Sequence, residues 1–341
     1  MLNLHMMKPE TLIPKIFNIS SFREFNEISL QIFHYQYAMN TIYREFVEHL
    51  PVRIEDIDSI EKIPFLPIEF FRNHKILATD RPVEKIFHSS GTTGPATSRH
   101  HVADYSIYKE SILKGFKHFY GRPDKYCFLA LLPSYLEREN ASLVFMMKEL
   151  MKVSSCRWEG FFLSNINDLK KAIKKVPPTG RTIFLLGVSF ALLDLVEKHG
   201  IQVPETSVVM ETGGMKGRRR EIVRQELHGF LAHGMGLSVV HSEYGMTELL
   251  SQAYAMARGL FYAPPWMKVL IRDFNDPLSF APNGRSGGIN VIDLANIYSC
   301  SFIATQDIGK RHPDGAFEVL GRFDNSDIRG CNLLVTYTES Y

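Results

Sequence analysis

His88-Ser89-Ser90-Gly91-Thr92-Thr93-Gly94-Pro95-Ala96-Thr97-Ser98 follows directly on Glu84 to His88, a short run that reads as a strand. The two glycines let the backbone turn tightly, and the hydroxyls and intervening N–H groups can converge on an anion. By composition the stretch is a phosphate cradle. It is not a Walker A loop, because no Gly-Lys-Ser/Thr follows at the required spacing. Taken alone, a Ser/Thr/Gly-rich turn is more often a plain loop, so its meaning depends on its surroundings.

Downstream, short apolar runs alternate with longer amphipathic ones. Strands are expected at Tyr126 to Leu132, Thr182 to Gly187, Ser207 to Glu211 and Leu237 to His241, with helices between them at Tyr105 to Tyr120 and Gly217 to Phe230. This alternation predicts an α/β fold of parallel βαβ units with ligands at the carboxyl ends of the strands. After about Ala281 the pattern becomes Gly287 to Leu294, Ser301 to Thr305 and Phe317 to Leu320, separated by turn residues, which suggests a small antiparallel subdomain. Upstream, Phe22, Phe25, Ile28, Ile32, Tyr35 and Tyr43 recur at helical spacing, and Ile63 to Phe70 is a Pro-punctuated connector. The expected organisation is a helical region over 1–80, an α/β core over 81–280, a small β subdomain over 281–322 and a terminal arm over 323–341.

The 341 residues can bury a sizeable core, and 39 Lys plus Arg against 37 Asp plus Glu leave a formal charge of only +2. That balance disfavours a nucleic-acid partner. The four cysteines, Cys127, Cys156, Cys300 and Cys331, are widely separated, with no spacing that suggests zinc or a disulfide framework, and read as reduced thiols of a cytoplasmic protein. MLNLHMMKPE is not a secretory signal, and no apolar run reaches membrane-span length.

Five segments occur in order: SSGTTG (Ser89 to Gly94), ETGG (Glu211 to Gly214), EYGMTE (Glu243 to Glu248), TQDIG (Thr305 to Gly309) and GRFDNSDIRG (Gly321 to Gly330). Their order resembles the adenylate-forming acyl-activating enzymes. Within that superfamily PFLPIEFFRNH (Pro64 to His74), HSSGTTGPATSRHH, LLGVSFA (Leu185 to Ala191) and IRGCNLLV look most like the acyl-protein synthetases of bacterial bioluminescence. The resemblance implies the N-terminal core of that fold and activation of a fatty or other carboxylic acid with ATP and Mg²⁺. The acyl group would then pass to a cysteine and on to a reductase partner.

In that reading Ser89, Ser90, Gly91, Thr92, Thr93 and Gly94 wrap the β- and γ-phosphates. Thr247 hydrogen-bonds the α-phosphate and Glu248 holds Mg²⁺, a hard cation suited to a carboxylate beside phosphate oxygens. Tyr244 offers a face to adenine, Gly213 and Gly214 let the backbone approach the base, and Gly245 joins the ATP-binding set. Asp307 accepts from the ribose hydroxyls and Arg322 reaches ribose or phosphate. Each has a plain rival: Tyr244 as core, Glu248 and Arg322 as solvated charges, Asp307 as a turn residue, the glycines as loop.

The sequence also departs from the superfamily pattern. Many relatives carry a lysine late in the phosphate loop, where this chain has Pro95-Ala96-Thr97-Ser98-Arg99, and Arg99 supplies a planar fork rather than a point charge. The GRFDNSD segment usually leads, through a hinge here at Asp324, into a lid domain with a catalytic lysine. Too few residues follow Gly330 to build one, so that lid is expected to be absent. Cys331, just beyond the hinge, is the candidate acyl acceptor; its rival is a small apolar residue on a terminal strand, Cys331 to Val335.

Lys216-Gly217-Arg218-Arg219-Arg220 reads as a solvated face or an anion site, His100 and His101 as exposed residues or phosphate contacts, and His241 as a strand-end residue or a border of the carboxylate site. Three alternatives remain. Gly187-Val188-Ser189-Phe190-Ala191 approximates a nucleophile elbow, which would make Ser189 the nucleophile of an α/β-hydrolase, although that leaves the five segments unexplained. A carboxylate–CoA ligase would share the adenylate chemistry, and a nucleotide-binding module would lack turnover.

Overall fold

The structure, a computed structural model, describes residues 8–89, 97–132, 140–162, 165–214 and 222–323. Three helices lead: α1 (Pro9–Ile16), α2 (Phe22–Met39) and α3 (Thr41–Glu48). Ser21 caps α2 by accepting from the Glu24 amide, and the Glu24 carboxylate accepts in return from Ser20, so local chemistry sets where this helix starts. Its inward face, Phe25, Ile28, Ile32, Phe33 and Tyr35, is buried at the expected helical spacing.

After β1 (Leu66–Pro67) and α4 (Phe70–Asn73), strands β2 (Lys85–His88) and β3 (Arg99–Val102) pair as an antiparallel ribbon. The strand before the phosphate loop therefore exists, but it lies outside the parallel sheet. β2 and β3 are consecutive strands and pair antiparallel, whereas a parallel partner needs a crossover of a dozen or more residues.

The remaining elements of the first large layer are α5 (Tyr105–Tyr120), β4 (Tyr126–Leu131), α6 (Ser142–Ser154), β5 (Gly160–Phe161), α7 (Ile166–Lys175), β6 (Thr182–Val188), α8 (Ser189–His199), β7 (Val208–Thr212), α9 (Arg224–Met235), β8 (His241–Tyr244) and β9 (Ala253–Ala255). The sheet order is β5-β4-β6-β7-β8-β9, parallel except for β9. β4 and β6 are apolar through nearly their whole length because helices cover both faces. Phe116 of α5 meets Phe128 and Phe184 edge to face at 5.3 Å each. Burying each such ring contributes roughly 2–3 kcal/mol.

A second sheet holds β10 (Met267–Arg272), β11 (Ser286–Asp293), β12 (Phe302–Arg311) and β13 (Phe317–Arg322), antiparallel, with β1 running parallel to β12. β10 precedes residue 281, upstream of where the sequence suggests this pattern begins. Helix α2 is tied to the loop after β11 by Gln36, which donates to the carbonyls of Asn296 and Ile297 and accepts from the Ser301 amide. Asn40 donates to the Ser299 carbonyl at 3.0 Å. The N-terminal helices thus brace the loop that stands behind the candidate site.

Three expectations need correction. The strand placed at Leu237 to His241 lies at His241–Tyr244, where His241 pairs with Met210. Apolar content drew the expectation upstream, while the true strand buries Ser242 and Glu243. The cysteines are not all separate thiols: Cys127 of β4 and Cys156 after α6 form a disulfide across a Cα separation of 5.4 Å. Sequence spacing concealed the pair because α6 is what returns the chain to β4. Cys300 is a free thiol, pushed up to about 12 by burial. His100, expected at the surface, is 1% exposed. The expected helix over Gly217 to Phe230 appears as α9 from Arg224, its first part falling outside the described residues, as do Asp324 and the strand at Cys331 to Val335. Among the described residues no helix is long and apolar enough to cross a membrane.

Candidate active site

The carboxyl ends of β7 and β8 bring Gly213, Gly214 and the Tyr244–Glu248 stretch to one edge of the parallel sheet. Gly213 has φ +56°, a left-handed conformation that glycine adopts without strain. Nearby, the neck of the phosphate loop is closed by two hydrogen bonds of 3.0 Å, from the Ser89 amide to the Ser98 carbonyl and from the Ser98 amide to Ser89 Oγ. Ser89 thus serves partly to shape the loop. Ser90, Gly91, Thr92, Thr93 and Gly94 lie outside the described residues, as do Lys216 to Arg220 and Cys331.

Opposite this edge the second sheet contributes Asp307 from β12 and Arg322 from β13, which are register partners. The Tyr244 hydroxyl donates to Asp307 Oδ2 at 2.9 Å, and Arg322 Nε reaches Oδ1 at 3.2 Å. Burial pushes the Asp307 carboxyl upward, against the pull of the Arg322 charge and the Tyr244 hydrogen bond. Arg322 keeps 69% of its side chain exposed, so its guanidinium can also meet a ligand. The Tyr244 ring is buried edge-on against Phe261 and Phe317. Tyr244, Asp307 and Arg322 therefore come together as a unit that joins the two sheets.

The turn after β8 carries Thr247 and Glu248, and three residues from elsewhere hold its back. His100 Nδ1 bonds the Thr247 carbonyl at 3.0 Å and Nε2 meets Ser299 Oγ at 2.9 Å. Burial pushes this histidine down to about 4, so it is neutral at pH 7, with the proton assigned to Nδ1 by its carbonyl partner. Asn296 donates to the Glu248 carbonyl at 2.8 Å and accepts from the Leu250 amide at 3.2 Å. Asp293 receives the amides of Leu250, Ser251 and Ala295 and the Ser251 hydroxyl. Burial nevertheless drives its carboxyl up to about 6. Sequence reasoning missed Asp293, Asn296 and the role of His100; the Asp-x-x-Asn spacing of Asp293 and Asn296 across a tight turn is the one local signal they carry.

The Glu248 side chain meets the Ser98 hydroxyl at the neck of the phosphate loop. It is 5% exposed, and burial raises its carboxyl while the Ser98 hydroxyl pulls the other way. Among the described residues no ion pair neutralises it, and no group of three His, Cys, Asp or Glu side chains gathers to hold a metal. A lone carboxylate suits Mg²⁺ shared with phosphate oxygens, which needs only one or two protein carboxylates.

Ser189 does not form an esterase-like site. It is 1% exposed, and its hydroxyl donates to Glu211 Oε2 at 3.0 Å rather than to a histidine. Glu211 also engages Ser242, Arg224 and His228. Burial raises the Glu211 carboxyl, but these partners together bring it below its ordinary value. With no histidine to take its proton and almost no exposed surface, this hydroxyl lacks the arrangement an esterase nucleophile needs. His241 accepts or donates at Tyr120 Oη, 3.1 Å away, and Arg99 ends the β2–β3 ribbon opposite His88.

A model of the family described as acyl-protein synthetase, LuxE, matches residues 20–338. A long-chain-fatty-acid–luciferin-component ligase from Vibrio harveyi is 23% identical over 333 residues, covering 88% of this chain and 84% of that protein. Among solved structures, ATP-bound MatB from Rhodopseudomonas palustris superposes with a TM-score of 0.53 at 17% identity over 72% of this chain. It is matched over 49% of its own length, so the chain spans about half of that ligase. An open conformation of 2-hydroxyisobutyryl-CoA ligase, in complex with 2-HIB-AMP and CoA, gives a TM-score of 0.64 at 12% identity over 90% of this chain and 72% of the ligase. At these identities the likeness is one of fold: the α/β architecture is that of the N-terminal core of adenylate-forming ligases.

Proposed function

Because the chain belongs to the LuxE acyl-protein synthetase family, we propose that it activates a carboxylic acid with ATP and transfers the acyl group to a protein cysteine. The observation that carries this reading is the Thr247–Glu248 turn, braced from behind and facing the Tyr244–Asp307–Arg322 unit across the sheet edge. An acyl-adenylating site needs positions for a polyphosphate, a nucleoside and a carboxylate in one cleft, and rigid placement is where much of its rate comes from.

In the first step a carboxylate oxygen attacks the α-phosphorus of ATP and the bond to the bridging oxygen breaks, releasing pyrophosphate and leaving acyl-AMP. The loop from Ser89 to Gly94 would cradle the β- and γ-phosphates, and the Thr247 hydroxyl would donate to the α-phosphate. Glu248 would hold Mg²⁺, which screens phosphate charge when bound. Asp307 would accept from ribose hydroxyls through its remaining lone pairs, with Arg322 turning from Asp307 toward ribose or phosphate. Gly213, Gly214, Gly245 and Tyr244 would border the adenine. In the second step a cysteine thiolate attacks the acyl carbonyl and AMP leaves, giving a thioester; Cys331 is the proposed acceptor. The likeness to the Vibrio harveyi ligase supports a fatty acid as substrate. An acyl-accepting reductase is the proposed partner and the cytoplasm the proposed compartment, where the Cys127–Cys156 disulfide is an unusual feature.

The test incubates the protein with ATP, Mg²⁺ and labelled fatty acids, following pyrophosphate release and protein-bound label together. The expected result is acid-dependent release and hydroxylamine-labile label that Cys331→Ser abolishes. Label that persists in Cys331→Ser would remove this cysteine from the mechanism. Acyl-CoA formed on addition of CoA, with no protein label, would favour a CoA ligase instead.

A further inference from the structure

Arg224 is the first residue of α9, a position where the helix dipole disfavours a cation. Its place is set instead by partners from three other parts of the chain. Nε reaches Glu211 Oε1 on β7 at 3.3 Å, Nη1 donates to the Val319 carbonyl on β13 at 3.0 Å, and the guanidinium lies over the Phe261 ring, 5.0 Å from its centre. Phe261 stacks on Phe317 of β13 at 5.4 Å and meets Tyr244 edge to face.

One planar side chain thus spans from the parallel sheet to the second sheet, a bridge that needs the fixed fork of a guanidinium. Both of its ends lie beside the candidate site. Glu211 is two residues before Gly213, and Val319 is three residues before Arg322. Glu211 is itself held by Ser189, Ser242 and His228, and Ser189 Oγ also lies 3.4 Å from the Gly213 carbonyl. Arg224 and Glu211 keep only 31% and 6% of their side chains exposed, so the pair is not a screened surface bridge. The main chain of β13 is bonded across the same seam at its start, where Phe317 and Phe261 exchange hydrogen bonds of 2.8 and 2.9 Å. Arg224 adds a hold nearer Arg322. Its charge also reaches Asp307, whose carboxyl burial pushes upward and Arg322, the Tyr244 hydroxyl, Arg272 and Arg224 draw back.

We propose that Arg224 is a positioning residue for the nucleotide: it fixes the seam between the two sheets so that Gly213 on one side and the Asp307–Arg322 pair on the other close on the same nucleoside. The inference rests on the acyl-adenylation reading and deepens it. Without the guanidinium, this flank of the seam is left to ring contacts, the bridge at Phe317 and the single Tyr244–Asp307 hydrogen bond. Displacing a binding group by about 1 Å can cost about 100-fold. The loss should fall on the nucleoside, which ATP and AMP share, and not on pyrophosphate.

The test measures acid-dependent ATP–pyrophosphate exchange on the full chain with hexanoate, decanoate and tetradecanoate, with AMP as inhibitor and thermal midpoints taken alongside. The natural protein, Arg224→Met and Arg224→Lys are compared. Arg224→Met keeps the aliphatic stem and loses the fork. It should raise KM for ATP and the inhibition constant of AMP together by about 10- to 100-fold, while kcat and KM for pyrophosphate move by less than about threefold. Arg224→Lys keeps the charge but can meet Glu211 or Val319 and not both, so it should fall between the other two, and it decides the matter if the methionine variant does not fold. A KM for ATP within about threefold of the natural value in the folded variants, or a loss confined to kcat in step with a lost folded fraction, would overturn the inference while leaving adenylation intact. Failure of both variants to fold would make Arg224 part of the scaffold alone and overturn it as well. No exchange by the natural protein with any of the acids would overturn the adenylation reading and this inference with it.

Discussion

The back and the front of the turn after β8 are built on opposite principles. Behind it, the Thr247 and Glu248 carbonyls and the Leu250 and Ser251 amides each meet a dedicated partner from His100, Asn296 or Asp293. In front, Glu243 and Glu248 are buried carboxylates with no ion pair among the described residues, each meeting a hydroxyl, from Thr212 and Ser98, with the Arg322 charge also favouring the Glu248 carboxylate. Rigidity comes from the densely bonded side, and the front is left more sparsely bonded. Substitutions behind should therefore register as stability, and substitutions in front as activity or pH dependence.

The sharpest way to break that contrast is Glu248→Gln. Losing the carboxylate should lower acid-dependent exchange by about 100- to 1,000-fold. The thermal midpoint should hold steady or rise, since a neutral amide is cheaper to bury than a charge. A variant that melts early and loses activity only in proportion would place Glu248 with the scaffold instead.

Asp293→Ala tests the other side. It strips acceptors from three amides and one hydroxyl, and should cost about 3–5 kcal/mol in denaturant unfolding. Asp293→Asn should recover part of that. A loss below about 1 kcal/mol would mean that water replaces the carboxylate, and that the turn is not braced as described.

Glu243→Gln sharpens the contrast through pH. The folded carboxyl is pushed up to about 7 from an ordinary value of 4.5. A raised carboxylate favours folding in full below the lower value and loses that contribution as pH rises through the higher one. The natural protein should therefore lose stability relative to the variant between about pH 4.5 and 7, by at most about 3 kcal/mol. The difference between the two proteins is the quantity to read, because His100 and His241, both pushed down to about 4, weaken the fold in the opposite direction, as pH falls from 6.5. A flat difference would show Glu243 to be paired.

Tyr244→Phe carries the smallest expected effect. It removes one hydrogen bond to Asp307 while keeping the ring between Phe261 and Phe317, and should cost about 1 kcal/mol. A larger loss of nucleotide binding than of stability would show that the bond sets the orientation of Asp307.

Legibility in the sequence followed the physical source of each feature. Helix α5 and strands β4, β6 and β7 could be read because local hydrophobic runs and periodicity encode them. β8 was displaced because its own residues, His241-Ser242-Glu243-Tyr244, are polar enough to hide a strand whose burial is imposed by neighbours. The strand at β2 is legible, but its antiparallel partner β3 is not, since a strand does not announce what it pairs with. His100 looked like a surface residue because nothing beside it in sequence reveals Phe71, Thr247 or Ser299 around it.

The order of the five segments, the alternation of strands and helices, and the residue types available to the site are properties of the linear chain. Which of those charges are matched is a property of the fold: among the described residues Asp307 meets Tyr244 and Arg322, Glu211 meets Ser189, Ser242, Arg224 and His228, and Glu243 meets the Thr212 hydroxyl. A side chain's chemistry is local and can be read residue by residue. Its partners and its distance from water arrive from remote parts of the chain, and those set what the charge can do.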